Sequence, residues 1–234
     1  MITIEQITDI TWDIKGIRFE RAHRGIVWVN YKIKVAFLVI PKCGSTSVRN
    51  QWPKTKFSLD STIDIQDVPE DFFLFTVIRD PIKRLISTYL SLFQDTSPNA
   101  NHPGGRFRHD LEISPDQIKS LGHMAKNYDD CDCFVVYLNK LEEWGFFELH
   151  CVPQIVFLTD KDGVAFPNVQ VFELDDLSPI ERHIGTKFER HNQSKDPGLK
   201  QKLYEFIENN PDVKCRIKKF YEYDIALWQK CINT

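Results

Sequence analysis

Apolar positions along this chain follow two different rhythms. Residues 26 to 34 alternate between apolar and polar side chains, the period of a strand with one solvated face, and predict an edge or antiparallel strand. VAFLVI, 35 to 40, is apolar without interruption and predicts a strand buried on both faces, as in a parallel sheet. FFLFTVI, 72 to 78, repeats that character and ends in Arg79-Asp80-Pro81, where Asp80 is a good N-cap and Pro81 a good first-turn residue for a helix. In that helix Ile82, Leu85, Ile86, Tyr89 and Phe93 recur at the spacing of one buried face. Further helices are expected at 115 to 126, behind Ser114-Pro115, and at 130 to 143 around FVVYL. A short strand is expected in VQVFEL, 169 to 174, followed by a helix in DDLSPIERHIG. The tail reads as one helix over 197 to 209, closed by Asn209-Asn210-Pro211, and another over 211 to 231.

Strands alternating with helices imply parallel βαβ units, hence an α/β fold with a parallel sheet flanked by helices in three layers, α/β/α. A length of 234 residues fits a single domain. DTSPNANHPGGRFRHD, 95 to 110, is the longest stretch poor in apolar residues and reads as a surface loop of the kind that forms lids or binding loops. With 42% hydrophobic and 27% charged residues the composition is that of a folded chain, and the formal charge of −3 gives no reason to expect nucleic acid. Any anion site must therefore be local. No apolar window is long enough to span a membrane, and MITIEQITDITWDIKG has neither the basic lead nor the apolar centre of a signal peptide, so a soluble, cytoplasmic chain is expected. The cysteines, at 43, 131, 133, 151, 215 and 231, are expected to be reduced, and the CxC at 131 and 133 has no second pair with which to build a zinc site.

The turn after the first buried strand carries the chemistry. A strand running into a Gly-containing turn and a helix start gathers backbone N–H groups where the helix dipole also favours negative charge. Pro41 stops the strand, Gly44 permits close backbone approach, Ser45, Thr46 and Ser47 add hydroxyls, and Lys42 adds a positive charge. A nucleotide triphosphatase loop reads GxxxxGK[ST], whereas here Lys precedes Gly by two. The second buried strand ends in Arg79 where a magnesium-holding carboxylate would be expected, with Asp80 beside it keeping that alternative open.

PKCGSTSV resembles the 5′-phosphosulfate loop of sulfotransferases that use 3′-phosphoadenylyl sulfate (PAPS), and VIRDPIKRLISTYL resembles their 3′-phosphate motif. The likeness is to the branch of carbohydrate 2-O and related Golgi sulfotransferases. It continues more weakly through FELHCVPQIVFL, VFELDDL, HNQS and FYEYDIALW, a core of about 35 to 228 within a single sulfotransferase domain spanning 1 to 234. The resemblance implies a P-loop-like sheet. It implies that Lys42, Cys43, Gly44, Ser45, Thr46 and Ser47 hold the 5′ end of PAPS, that Arg79 and Ser87 hold the 3′-phosphate, and that no metal takes part. Lys42 would further act in catalysis, its ammonium stabilising charge on the oxygen that leaves the sulfur. The desulfated product would be adenosine 3′,5′-bisphosphate (PAP), and the acceptor a hydroxyl on a carbohydrate or glycoconjugate. Arg84 is assigned to a structural ion pair or an acceptor contact.

An alcohol acceptor needs a base, and here the chain departs from its relatives. Residues 48 to 78 hold no His, although the 2-O branch has its catalytic His between the two motifs. Asp60, Asp64, Asp67, Glu70 and Asp71 lie there, each also readable as a solvated loop charge. His150, in an H-x-x-P-Q element similar to one in the family, is the first candidate for base or acceptor ligand, against a satisfied structural His. His102 and His109 in the long loop, and His23 and His191, remain open. Asn192, Ser194 and Lys195 match the place where relatives bring a late loop over the adenosine and 3′-phosphate, although Asp196-Pro197 reads equally as an ordinary helix start. Two rival readings stand beside sulfuryl transfer: an ATP-dependent kinase with an altered P-loop, and a nucleotide-binding module without catalysis.

Overall fold

The two uninterrupted apolar runs lie side by side. The computed structural model describes residues 2–3, 26–51, 62–94, 129–147, 149–160, 162–188 and 196–233. Its strands are β1 (Ile2–Thr3), β2 (Ile26–Asn30), β3 (Val35–Leu38), β4 (Thr62–Asp64), β5 (Phe73–Ile78) and β6 (Gln170–Glu173), joined in one sheet of order β1-β6-β5-β3-β2-β4. The helices are α1 (Ser45–Gln51), α2 (Pro81–Gln94), α3 (Cys131–Trp144), α4 (Ser178–Ile184), α5 (Pro197–Asn209), α6 (Pro211–Phe220) and α7 (Glu222–Ile232). Contacts divide the chain into two units. The first comprises Met1–Asp80, Pro153–Asn192 and Tyr223–Thr234, the second Pro81–Val152 and Gln193–Glu222.

The first unit holds the sheet. β3 pairs with β5, and β5 with β6, in parallel, as expected of strands without polar alternation. β2 runs antiparallel to β3 and to β4, as the alternation at 26 to 34 predicted, and β1 runs antiparallel to β6, so the sheet expected to be parallel is mixed. The reason is local: only 31 to 34 separate β2 from β3, too few residues for the crossover that parallel neighbours need. Asn30 shapes that hairpin, its Oδ1 accepting from the N–H groups of Lys32 at 3.1 Å and Ile33 at 3.4 Å, with Lys34 in the left-handed region at φ 53°. On one face of the sheet Val35, Phe37, Phe75, Val77 and Phe172 pack with Val48 of α1 and Ile180 of α4. Phe37 and Phe75 stack with centroids 5.0 Å apart, and each side chain so buried contributes about 1.5 to 3 kcal/mol.

The second unit is helical. Ile82, Leu85, Ile86, Tyr89 and Phe93 of α2 are all buried, the expected face, and pack with Phe134, Tyr137, Leu138 and Leu141 of α3. Leu199, Leu203 and Ile207 of α5 and Ile217 of α6 complete the cluster. Caps stop and start these helices where the polar residues fall: Asp196 Oδ1 accepts from Leu199 N–H at 2.8 Å, and the side chain of Asp130 accepts from Asp132 N–H at 3.1 Å. The expected single helix over 211 to 231 is two. Tyr221, at φ −114°, ends α6 and donates its hydroxyl to the Cys151 carbonyl at 2.8 Å, and α7 restarts at Glu222. The helix expected at 115 to 126 and the loop at 95 to 110 lie outside the described residues.

The cysteines are thiols outside any disulfide, and they differ sharply in reach: Cys43, Cys151 and Cys231 are buried, whereas Cys215 is exposed on α6. Burial pushes the Cys231 thiol up from 9.0 to about 11. A thiol reagent at mildly alkaline pH should therefore label Cys215 first, with Cys231 protected in the folded chain, as read by peptide mass mapping. The fold accommodates the neutral Cys231 thiol, so its contribution is intact below 9.0 and lost as the pH rises toward about 11. Cys231→Ala should flatten that part of the stability profile, and an unchanged profile would contradict the assignment.

Candidate functional site

The first unit builds the turn after β3 from alternating constraints. Cys43 N–H donates to the Ile40 carbonyl at 3.3 Å, closing the turn over Pro41 and Lys42. Lys42 adopts φ 65°, a left-handed conformation that a residue with a Cβ occupies at a cost of about 1 to 2 kcal/mol. Gly44 follows at φ 78°, and a Cβ placed there would lie 2.5 Å from Leu174 Cδ1. Only glycine fits. The Gly44 carbonyl accepts from Val48 N–H at 3.0 Å, so α1 begins with Ser45, Thr46 and Ser47 in its first turn and no acidic residue among them. Ser45 and Thr46 are half-buried and Ser47 buried, while Cys43 turns its side chain fully inward. Its thiol donates to Gln154 Oε1 at 3.0 Å, so this side chain is structural.

Arg79 follows β5 directly. Because β3 and β5 are parallel neighbours in the register Leu38↔Thr76, their carboxyl ends emerge at the same edge, and Thr76 Oγ1 donates to the Leu38 carbonyl at 2.8 Å between them. Arg79 Nη1 reaches the Lys42 carbonyl at 3.4 Å, a long contact that turns the guanidinium toward the loop. Both cations are half-buried. The carboxyl edge of a parallel sheet is where open α/β folds bind ligands, and a planar guanidinium suits a phosphate or sulfate.

Two residues not singled out from the sequence hold this edge together. Gln154, fully buried at the start of the short helix Gln154–Leu158, accepts at Oε1 from Arg79 N–H at 2.8 Å and donates from Nε2 to the Arg79 carbonyl at 2.9 Å. Asp224 of α7, also fully buried, accepts from Gln154 N–H at 2.8 Å and Ile155 N–H at 3.0 Å. The signal was there: lone polar residues inside VPQIVFL and YDIALW, both apolar runs.

The second unit contains Ser87 and His150. Ser87 lies with Lys83 and Ser91 along one line of α2, and all three side chains are half-buried. His150 is half-buried, and its carbonyl accepts from Thr88 Oγ1 at 3.1 Å. Arg84, 2% exposed, donates from Nη1 to the Val152 carbonyl at 2.8 Å, a structural contact in the protein interior. Of the acidic residues between the two motifs, Asp64, Asp67 and Glu70 lie toward the surface, and Asp71 is exposed and paired with Lys34 at 2.5 Å. Lys34 holds the Asp71 carboxyl below its usual range. Asp60, Asn192, Ser194 and Lys195, and the histidines at 23, 102, 109, 123 and 191, lie outside the described residues. Among the described residues no group of three or more His, Cys, Asp or Glu converges as a metal site, and no helix is long and apolar enough to cross a membrane.

The Sulfotransferase family model matches residues 49–157, a segment that holds Arg79, Ser87, His150 and Gln154 and begins just after the Lys42 loop. The match supports a sulfotransferase of that family, and with it sulfuryl transfer in general. The mixed sheet with flanking helices is consistent with a sulfotransferase fold. No curated protein and no solved structure matches the chain.

Gly44→Ala should be costly on two counts, the left-handed backbone and the contact with Leu174. A loss of about 1 to 3 kcal/mol in urea unfolding is expected, with part of it returned in the Gly44→Ala, Leu174→Ala pair. A Gly44→Ala chain as stable as the parent would mean that the turn is not built as described.

Proposed function

We propose that the chain transfers a sulfuryl group from PAPS to a hydroxyl group on a carbohydrate or glycoconjugate. One observation carries the reading: the Lys42 loop and Arg79 stand at the carboxyl ends of adjacent parallel strands, with Arg79 Nη1 directed at the Lys42 carbonyl. That edge offers a primary ammonium, a guanidinium, hydroxyls at the start of α1 and a backbone that no Cβ obstructs at Gly44, a donor set suited to an anion with phosphate at both ends.

PAPS, when bound, supplies the sulfuryl group and leaves as PAP. The chain's own part is positional and electrostatic. Lys42 holds its ammonium toward the oxygen on which charge develops as the sulfur–oxygen bond breaks, and Ser45, Thr46 and Ser47 donate to the 5′ end from the P-loop-like turn. Cys43 contributes backbone, since its thiol faces Gln154. Arg79 pairs with the 3′-phosphate. For Ser87 as a hydroxyl to that phosphate, His150 as the base on the acceptor hydroxyl, and Asn192, Ser194 and Lys195 over the adenosine, the family likeness alone carries the role.

Lys42→Ala should leave the thermal midpoint unchanged and lower sulfate transfer by a factor on the order of 100 to 1000, the effect of removing one preorganised donor. PAP should raise the thermal midpoint of the unaltered chain while ATP with magnesium does not, because only a ligand of the native state stabilises it. A shift with ATP and magnesium alone would favour a kinase, and PAP binding without transfer across a panel of acceptors would favour a binding module.

A further inference from the structure

The edge that joins the loop to Arg79 is organised around one amide. Gln154 grips the Arg79 main chain on both sides, accepting from its N–H at 2.8 Å and donating to its carbonyl at 2.9 Å. Arg79 lies just past Ile78, the last residue of β5, so the amide continues for one more residue the hydrogen bonding that the strand ladder gave up. The same Oε1 accepts the Cys43 thiol at 3.0 Å, and Cys43 lies between Lys42 and Gly44 in the loop. Gln154 is itself immobilised: its N–H donates to Asp224 Oδ2 at 2.8 Å, and Nε2 approaches that oxygen at 3.4 Å. One side chain thus spans the two motifs.

We propose that Gln154 is a positioning residue, fixing the spacing between the Lys42 loop and Arg79 so that a ligand with separated phosphate groups meets both at once. The proposal rests on the PAPS reading above. Gln154 does not touch the ligand; it acts through Cys43 and Arg79. The consequence is specific. A ligand with one phosphate needs only one of the two ends, and loses little if their spacing relaxes. A ligand that must engage both ends loses the advantage of a preset separation, the same cost that any misplacement of a bound group incurs.

Calorimetric titration with PAP, 5′-AMP and 3′-AMP separates these cases in the unaltered chain and in Gln154→Met, which keeps length without hydrogen bonds. The preference for PAP over either monophosphate should fall roughly tenfold or more in Gln154→Met, about the value of one buried hydrogen bond. Should Gln154→Met not fold, Cys43→Ala cuts only the loop's link to the amide and is read by the same ratio, which should fall by a smaller factor. A folded variant with an unaltered PAP preference, or one in which all three ligands weaken in proportion, overturns the positioning role and leaves the PAPS reading in place. Absence of PAP binding by the unaltered chain overturns the PAPS reading itself, and the positioning role with it.

Discussion

The parallel pairing of β3 with β5 fixes where every charge at the candidate site can stand. Val35 pairs with Phe73, Ala36 with Leu74, Phe37 with Phe75 and Leu38 with Thr76, so the two strands run side by side in one direction and release the Lys42 loop and Arg79 at the same edge. Sliding one strand by a residue would turn Phe37 and Phe75 to opposite faces of the sheet and break their 5.0 Å stacking. It would also separate Thr76 Oγ1 from the Leu38 carbonyl that it reaches at 2.8 Å in the interior. Register is held by packing on one face and by a buried hydroxyl in the ladder, and the position of the cations is a by-product of both.

Beyond the ends of the strands the ladder no longer helps, and a buried polar network takes over. A carboxylate as deeply buried as Asp224 costs several kcal/mol unless its oxygens are satisfied, and here each oxygen accepts a main-chain N–H, from Gln154 and from Ile155. That satisfaction makes α7 part of the first unit's framework. It also gives Gln154 a fixed backbone from which its amide can hold Arg79 and Cys43. Networks of this kind are stiff because every member is costly to leave unpaired.

What the sequence disclosed follows the range of the interactions involved. The buried face of α2 could be read from Ile82 to Phe93 because a helix repeats every few residues, and the Lys42 loop and Arg79 could be read because each motif is contiguous. The antiparallel partners β1 and β4 are strands of only two and three residues, too short to leave a period. The break at Tyr221 depends on a hydroxyl bonded to Cys151, 70 positions away, which no local propensity encodes. Gln154 and Cys43 meet across a separation of 111, so the clamp on the loop is a property of the folded chain, even though a lone Gln inside an apolar run gave some warning of it.

Charge completes the picture. With a formal charge of −3 the chain as a whole repels anions, so attraction has to be generated locally and at short range. α1 is only seven residues long, and its end carries a fraction of an elementary charge at most. The greater part must come from Lys42 and Arg79, each half-buried, where a unit charge 4 Å away interacts by about 4 kcal/mol instead of the roughly 1 kcal/mol of bulk water. Two cations held at one edge by the fold repel each other, and an anion that meets both relieves that repulsion as well as adding its own attraction. On the PAPS reading proposed above, selectivity for a ligand with two anionic groups would follow from placing the cations on separate strands: one strand end alone would bind any phosphate, whereas the pair would discriminate by distance.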